Sequence, residues 1–457
     1  MHLLALATTA LLAAAVSANK ASQASNFDIS PSVAERYGCN SVCQADLKEH
    51  NTADLAIFDT PFDFDFYATA SNFSFSSPGD LLKLKALNGT ALNIPAGVSV
   101  YKIQYTSQDV GGTIVPATAF LAVPFARRNN PYRLVAYAHG TTGVFRGCAP
   151  SSSSYLFDYD SWSPLLLAGY AVVATDYAGL GNNMTAHKYI SSAANANDVY
   201  WSVTAAQNAF PSAFTPEWVS IGHSQGGGAV YKLSEHKLVQ GRRSAYLGGV
   251  SIAPITKIYD SLLQALTTLG DGASGGYESY KVFGVLPSLV LGVQALFPNY
   301  TAPFLAEPMR QRLELAKIGQ YCDVAISGLV ADLSINELIG NITATDVAVL
   351  QRFQELNAPA QGDSASKPLL LIQGEEDTIV FESMVESAYR DSCDAGNVVH
   401  LSLYPGLDHS ATVGASAPEW LAFIEGLFEG TATLTKCVNK TVNAFDLEHA
   451  AAPVDDV

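Results

Sequence analysis

The sequence predicts an α/β protein in which helices cover both faces of a mostly parallel β-sheet. Short apolar runs recur along the chain, and each is followed by a turn and a helical stretch, the pattern of buried parallel strands. Hydrophobic residues make up 48% of the 457 residues, enough for a large core. The rhythm breaks between Ile252 and Leu369, where only helical patterns are found.

Residues 1–18 have the pattern of a secretory signal peptide. Leu3 to Val16 is almost wholly apolar, and Val16-Ser17-Ala18 places small residues at the −3 and −1 positions of a cleavage site. A membrane anchor needs about 20 apolar residues, and Asn19-Lys20 ends the run too early. We therefore expect a secreted, extracellular protein.

Residues 19–95 are rich in Phe and Asp and are predicted to form an N-terminal wrap of short helices and turns. The first part of the α/β core is expected at 96–254 and the second part, with a C-terminal tail, at 361–457. Val98 to Tyr105 and Ala117 to Val123 are predicted to be an antiparallel pair. The other predicted strands are Leu134 to Ala138, Tyr170 to Ala174, Trp218 to Ile221, Leu247 to Ile252, Leu369 to Ile372 and Val398 to Leu403.

Residues 255–360 are interpreted as an inserted helical cap, because leucines recur there at helical spacing and a structureless loop of that length would be abnormal. A second independent domain is the alternative. The glycine run from Gly270 to Gly276 could act as a hinge, although a rigid cap fits as well. Within Leu286 to Phe297, Leu289 and Leu296 are predicted to line a substrate pocket.

The formal net charge of −17 makes nucleic acid or an anionic membrane surface a poor partner. The strongest membrane candidate, Val282 to Phe297, is interrupted by Pro287 and Gly292 and is too short for a bilayer. We expect no stable membrane insertion, and a monomer.

Six cysteines in an exported chain should mostly pair, although sequence alone leaves the pairing open. They are Cys39, Cys43, Cys148, Cys322, Cys393 and Cys437. No zinc-type spacing is present, so no metal or cofactor is expected. Candidate glycosylation sequons begin at Asn72, Asn88, Asn183, Asn299, Asn341 and Asn439.

Gly222-His223-Ser224-Gln225-Gly226 matches G-x-S-x-G. A strand precedes it and a helix-compatible stretch follows, the context of a nucleophile elbow. Ser224 would then stand at a helix N-terminus, with the Gln225 N–H directed into an oxyanion hole.

A serine hydroxyl needs a base that is oriented by a carboxylate, and on this fold these follow the serine in the order acid, then histidine. Asp377 follows a predicted strand in Gly374-Glu375-Glu376-Asp377, and His409 follows the last one. Asp176 and Asp408 are rival acids. Asp176 precedes the serine and is expected to hold its own turn by hydrogen bonds.

The second oxyanion donor is expected from His139-Gly140-Thr141-Thr142-Gly143, a small-residue loop after a strand. The sequence does not separate Thr141 from Thr142, and a plain turn is the alternative.

In these motifs and their order the chain resembles the fungal and bacterial secretory lipase family. Further matching pieces are Arg146 to Ser151, Thr175 to Gly179 and the Asp408-His409 loop. The resemblance implies an α/β-hydrolase with an inserted lid and a Ser224–Asp377–His409 triad. It also implies disulfides Cys148–Cys322 and Cys393–Cys437, leaving Cys39–Cys43 as a local pair.

The resemblance further implies a serine carboxylic-ester hydrolase, a lipase or esterase acting on an ester or lipid small molecule. The His-Gly-Thr-Thr-Gly loop is closer to members that are general esterases. Three alternatives stay open: an acyltransferase on the same triad, an esterase specific for an acylated secondary metabolite, and a non-catalytic binding protein on a hydrolase scaffold.

Overall fold

The structure, a computed structural model, describes residues 22–126, 130–157, 160–241, 243–270, 281–432 and 435–451. The predicted signal peptide (1–18), most of the glycine run (271–276) and the last six residues (452–457) lie outside the described residues.

A mixed ten-stranded sheet organises this part of the chain, in the order β1-β2-β3-β5-β4-β6-β7-β8-β9-β10. The strands are β1 Leu81–Ala86, β2 Ser99–Gln108, β3 Ile114–Val123, β4 Tyr132–Ala138, β5 Ala171–Thr175, β6 Phe214–His223, β7 Tyr246–Ile252, β8 Leu369–Gly374, β9 Val399–Tyr404 and β10 Val438–Thr441. All eight predicted strands are present, and the α/β class is confirmed.

Strands β4 to β10 run parallel to one another. At one edge of the sheet, β3 pairs antiparallel with β5, β2 with β3, and β1 with β2. The predicted antiparallel pair is therefore confirmed as β2 and β3. Because the carboxyl ends of parallel strands meet at one edge, the loops after β4, β6, β8 and β9 converge there.

Helices pack on both faces of the sheet. Val203, Val230 and Val385 from α5, α6 and α13 lie in the cluster on one face, and Leu165, Trp420 and Ile424 from α4 and α15 lie in the cluster on the other. The helices are α1 Pro31–Arg36, α2 Ser41–Ile57, α3 Phe64–Tyr67, α4 Ser163–Leu167, α5 Ser192–Ala209, α6 Gln225–Glu235, α7 Ile258–Gly270, α8 Leu286–Leu296, α9 Glu307–Gly319, α10 Asp323–Val330, α11 Ile335–Leu338, α12 Ala344–Asn357, α13 Glu382–Asp394, α14 Ala411–Ala415 and α15 Ala417–Glu429.

The chain between β7 and β8 contributes helices α7 to α12. Their buried side chains form a cluster of their own, in which Leu262, Leu289, Leu313 and Phe353 represent four of these helices. This part of the chain therefore has an apolar core separate from the two that flank the sheet.

The N-terminal segment departs from its prediction as a wrap of helices and turns only. It contains α1, α2 and α3, but Leu81–Ala86 pairs antiparallel with β2 as the first strand of the sheet. Helix α2 packs against α10 through Leu47, Ile326 and Leu329, so the segment also reaches the helices between β7 and β8.

Three disulfide bonds join Cys39 to Cys43, Cys148 to Cys322, and Cys393 to Cys437. These are the pairs that the resemblance implied. The second bond links the loop after β4 to the start of α10.

Candidate active site

Ser224 lies in a sharp turn between β6 and α6. Its φ of 57° and ψ of −118° are unusual for a residue with a side chain and indicate backbone strain. The flanking glycines make the turn possible, because a methyl group on Gly226 would lie 1.9 Å from the Ala138 carbonyl oxygen and one on Gly222 would lie 2.3 Å from that of Gly226. The turn thus presents Ser224 at the N-terminus of α6, where the helix dipole favours negative charge.

His409 and Asp377 meet at the same edge of the sheet. His409 Nδ1 lies 2.7 Å from Asp377 Oδ2, and both side chains are buried. Asp377 Oδ1 accepts hydrogen bonds from the Ile379 and Val380 N–H groups, at 2.9 and 2.8 Å. A carboxylate in this position fixes the orientation of the imidazole and favours its charged form.

The environment keeps Asp377 ionised. Burial alone would raise the pKa of its carboxyl, but the charge and hydrogen bond of His409 and the two backbone N–H groups outweigh burial and lower the pKa. Gln373 Nε2 adds a further hydrogen bond to Oδ2 at 3.1 Å. Gln373 was missed in the sequence, where its only signal is a polar residue at the end of an apolar strand.

His223, inside the elbow, contacts the His409 loop. Its Nε2 lies 3.0 Å from the His409 carbonyl oxygen, and the two rings are 4.5 Å apart between centroids. Burial lowers the pKa of His223 to about 3, so the ring is neutral and donates from Nε2 to that carbonyl. The residue therefore holds the loop that carries His409.

The loop after β4 passes directly over the serine turn. A methyl group on Gly140 would lie 3.5 Å from Ser224 Cβ, and Thr141 lines the same cavity as Ser224. Thr142 is buried, and its carbonyl oxygen accepts the Asp323 N–H at 3.2 Å. Of the two candidate threonines, Thr141 is the one that faces the cavity.

Gln225 begins α6 immediately after the serine, and its side chain is held below the turn. Its Nε2 lies 3.0 Å from His187 Nε2 and 3.2 Å from Asn195 Oδ1. Burial lowers the pKa of His187 to about 3, so its neutral ring accepts from Gln225 while Nδ1 donates to the Ala178 carbonyl at 3.2 Å. His187 and Asn195 were missed, since neither follows a recognisable motif.

The rival acids have other contacts. Asp176 does not hold its own turn as expected. Its carboxylate accepts from the Ser151 N–H and hydroxyl at 2.8 and 2.5 Å and from Thr118 Oγ1 at 2.6 Å. The turn is bound instead by Asp198, whose Oδ2 accepts the Ala178 N–H. Asp408 accepts the Ala411 N–H at 2.9 Å, and Glu376 is exposed.

An apolar cavity that is partly open to solvent adjoins Ser224. Its walls come from the loops after β4 and β8 and from the helices between β7 and β8. Leu289 of α8 lines it together with Leu262, Phe283 and Leu286. Leu296 does not line it but packs among the side chains of the cluster that α7 to α12 share.

The start of α10 is attached to the loop after β4. Cys322 is bonded to Cys148 and forms a β-bridge with Gly143, while Asp323 donates its N–H to Thr142. Asp54 of α2 accepts hydrogen bonds from the Val324 and Ala325 N–H groups. Helices α2 and α10 therefore support the loop that carries Thr141.

Among the described residues no group of three His, Cys, Asp or Glu side chains is arranged to bind a metal ion. No helix in the described ranges has the length and hydropathy needed to cross a membrane.

Solved structures with a similar fold include enzymes that act on esters. The chain matches Candida antarctica lipase A with a TM-score of 0.65 and 17% identity, over 85% of this chain and 90% of the lipase. It matches the rice cell wall degrading esterase LipA from Xanthomonas oryzae with a TM-score of 0.61 and 19% identity, over 76% and 100% of the two chains.

A putative hydrolase from Legionella pneumophila matches with a TM-score of 0.59 and 18% identity, over 77% and 99% of the two chains. No family model and no curated protein sequence matches the chain. The structural matches show that the chain shares the fold of these proteins.

Proposed function

We propose that this protein is a serine carboxylic-ester hydrolase of the lipase or esterase type. The observation that carries the proposal is the convergence of three groups at one sheet edge. Ser224 lies in a strained turn, His409 is hydrogen-bonded to an ionised Asp377, and an apolar cavity opens beside the serine. The ester-cleaving enzymes among the structural matches support the same class.

The reaction proceeds through an acyl-enzyme. Ser224 Oγ attacks the ester carbonyl carbon while His409 takes its proton, and Asp377 stabilises the imidazolium. Backbone N–H groups of Gln225 and Thr141 bind the oxyanion of the tetrahedral intermediate. The bond to the alcohol oxygen then breaks as His409 returns the proton to that oxygen. In the second half of the reaction, water attacks the acyl-enzyme while His409 takes its proton, and the acid leaves as His409 returns that proton to Ser224.

The acyl part of the substrate occupies the apolar cavity. Leu262, Leu286 and Leu289 offer it hydrocarbon contacts, which favour an alkyl chain over a charged group. We propose that residues 255–360 form a cap that covers the acyl part of the substrate. Its helices α7 and α8 contribute these three leucines, and its own apolar cluster supports it as a unit.

We propose that the protein is exported and glycosylated. Residues 1–18 have the sequence of a signal peptide, and three disulfides suit an oxidising compartment. All six asparagines of the sequons are exposed, as attachment of a glycan requires.

The test replaces the nucleophile. Ser224→Ala should abolish hydrolysis of a short nitrophenyl ester, and labelling by a fluorophosphonate probe should disappear with it. Ser288→Ala is the matched control, because Ser288 is buried in α8 outside the cavity, and it should keep both. Hydrolysis retained by Ser224→Ala, or a covalent adduct mapped to another serine, would contradict the proposal.

A further inference from the structure

The loop over the serine turn makes a hydrogen bond that the mechanism above does not use. Thr141 Oγ1 and the Tyr189 hydroxyl lie 2.8 Å apart, and both residues line the cavity beside Ser224. Within the part of the chain that the structure describes, neither hydroxyl has a second hydrogen-bond partner. The cavity is lined mostly by apolar side chains, and a pair of hydroxyls held beside the serine turn suggests a chemical role, since polar groups are costly to bury among apolar ones.

Tyr189 is buried and packs against helix α8. Only 2% of the residue is exposed, and helix α8 packs against its backbone. A methyl group on Gly292 of that helix would lie 2.6 Å from the Tyr189 carbonyl oxygen. Burial raises the pKa of the Tyr189 hydroxyl well above its usual 10, so it keeps its proton and can donate it.

Thr141 is placed to use that donor. It follows Gly140, whose α-carbon faces Ser224 Cβ, and it lines the same cavity as Ser224. A hydroxyl carries one proton and accepts through two lone pairs. When Tyr189 donates a hydrogen bond to Thr141 Oγ1, the Thr141 hydroxyl can donate its own proton in a hydrogen bond to a third group in the cavity.

We propose that the Thr141 hydroxyl is a further catalytic donor, which gives the oxyanion a third hydrogen bond beside the N–H groups of Thr141 and Gln225. Tyr189 is the positioning residue that orients this hydroxyl. The inference rests on the proposed ester hydrolysis. The bond strengthens as the carbonyl oxygen of the substrate becomes negative, so it acts on the transition state more than on bound substrate.

Four variants test the pair on a short nitrophenyl ester. Thr141→Val removes the hydroxyl at nearly constant shape and should lower kcat by about 10- to 100-fold, with KM changed by less than about twofold. Thr141→Ser keeps a hydroxyl and should restore kcat to within about threefold of wild type. Tyr189→Phe removes only the orienting group and should lower kcat by about three- to tenfold.

The double variant distinguishes orientation from independent action. If Tyr189 acts through Thr141, adding Tyr189→Phe to Thr141→Val should lower kcat no further. A trifluoromethyl ketone inhibitor, whose adduct with Ser224 carries an oxyanion, should bind each variant more weakly in proportion to its loss of kcat. Far-ultraviolet circular dichroism and Tm check that each variant is folded.

The inference is wrong if Thr141→Val keeps kcat within about twofold of wild type, or if Thr141→Ser is as impaired as Thr141→Val. It is also wrong if the losses of kcat caused by Thr141→Val and Tyr189→Phe multiply in the double variant. Should Thr141→Val fail to fold, the Tyr189→Phe result decides alone, and wild-type kcat in that variant overturns the orienting role and with it the proposal. An inactive Ser224→Ala together with a normal Thr141→Val leaves the ester hydrolase intact. An active Ser224→Ala removes both proposals.

Discussion

Asp377 illustrates how local donors decide the state of a buried acid. Its Oδ2 lies against His409 Nδ1 and Gln373 Nε2, and its Oδ1 accepts two backbone N–H groups. An asparagine in this position would turn either its oxygen or its NH₂ group toward the imidazole. The NH₂ group would favour the wrong tautomer of His409, because it can only donate.

Asp377→Asn should therefore lower kcat by about 10⁴-fold with little change in KM, since the base loses its orientation and its stabilising charge. Steady-state kinetics on a short nitrophenyl ester give both constants. Asp408→Asn is the control: within the part of the chain that the structure describes, its side chain accepts only the Ala411 N–H, a contact that asparagine retains. An Asp377→Asn variant that keeps the kcat of wild type would show that Asp377 is not the acid of the proposed triad.

The candidate catalytic residues that were predicted from the sequence are those whose signals are contiguous. Ser224 lies in a pentapeptide, while Asp377 and His409 follow recognisable strands in the expected order. Gln373, His187 and Asn195 could not be chosen, because their roles depend on side chains that meet only in the folded chain. Tyr189 is 48 positions from Thr141 in sequence, and no local pattern connects the two.

At the scale of elements, the apolar strands of the sheet centre were all predicted, whereas β1 and β10 were missed. Both are edge strands, and half or more of each is exposed, so neither forms the continuous apolar run that marks a buried strand. Among the described residues, each pairs only with the strand next to it in chain order, β2 or β9. Strand β10 directly follows Cys437, which forms a disulfide with Cys393 on α13.

Helix α8 shows why Leu289 and Leu296 were grouped in the sequence and are separated in the structure. Seven residues are close to two helical turns, so the two leucines share one face of α8. They nevertheless lie about 10 Å apart along its axis, and the cavity does not extend that far. Leu289 lines the cavity, whereas Leu296 packs within the apolar cluster that α7 to α12 share.

Leu289→Trp should shorten the preferred acyl chain, because the larger side chain fills space that the chain would occupy. Activity on acetate esters should change little. Leu296→Trp, on the same helix face, should leave the chain-length profile unchanged. The measurement is kcat/KM over nitrophenyl esters from acetate to palmitate, and identical profiles for wild type and Leu289→Trp would exclude this cavity as the acyl site.

The molecule as a whole buries several acids whose pKa values are raised by burial. Burial raises the pKa of Asp54, Asp198 and Glu235 to about 7 in each case, and that of Asp323 to about 6. The folded state therefore binds more protons than the unfolded state between pH 4 and pH 7, and stability from these groups is lost as pH rises through 7. Buried neutral histidines such as His139 and His187 act in the opposite direction below pH 6.5.

Asp198 offers the test of this balance. Its carboxylate accepts hydrogen bonds from the Ser107 hydroxyl and the Ala178 N–H. An asparagine can keep both contacts by accepting from the N–H and donating to the hydroxyl. The charged neighbours of Asp198 are Asp109 and Lys188. Between pH 5 and pH 8.5 wild type should lose about 2 kcal/mol more stability than Asp198→Asn. Urea unfolding at the two pH values measures the difference.

Glu49→Gln removes one exposed charge on α2 and controls for net charge, so it should follow wild type. An Asp198→Asn variant that loses as much stability as wild type on going to pH 8.5 would mean that Asp198 is already ionised at pH 5.

The position of α7 to α12 between β7 and β8 has a consequence for the order in which a growing chain becomes active. Ser224 precedes these helices, and its proposed partners Asp377 and His409 follow them. In sequence, 186 positions separate His223 from His409, which it contacts. Contacts so distant in sequence must wait for the long intervening segment to be made and closed. During synthesis the proposed exported hydrolase therefore carries its serine without a base to activate it.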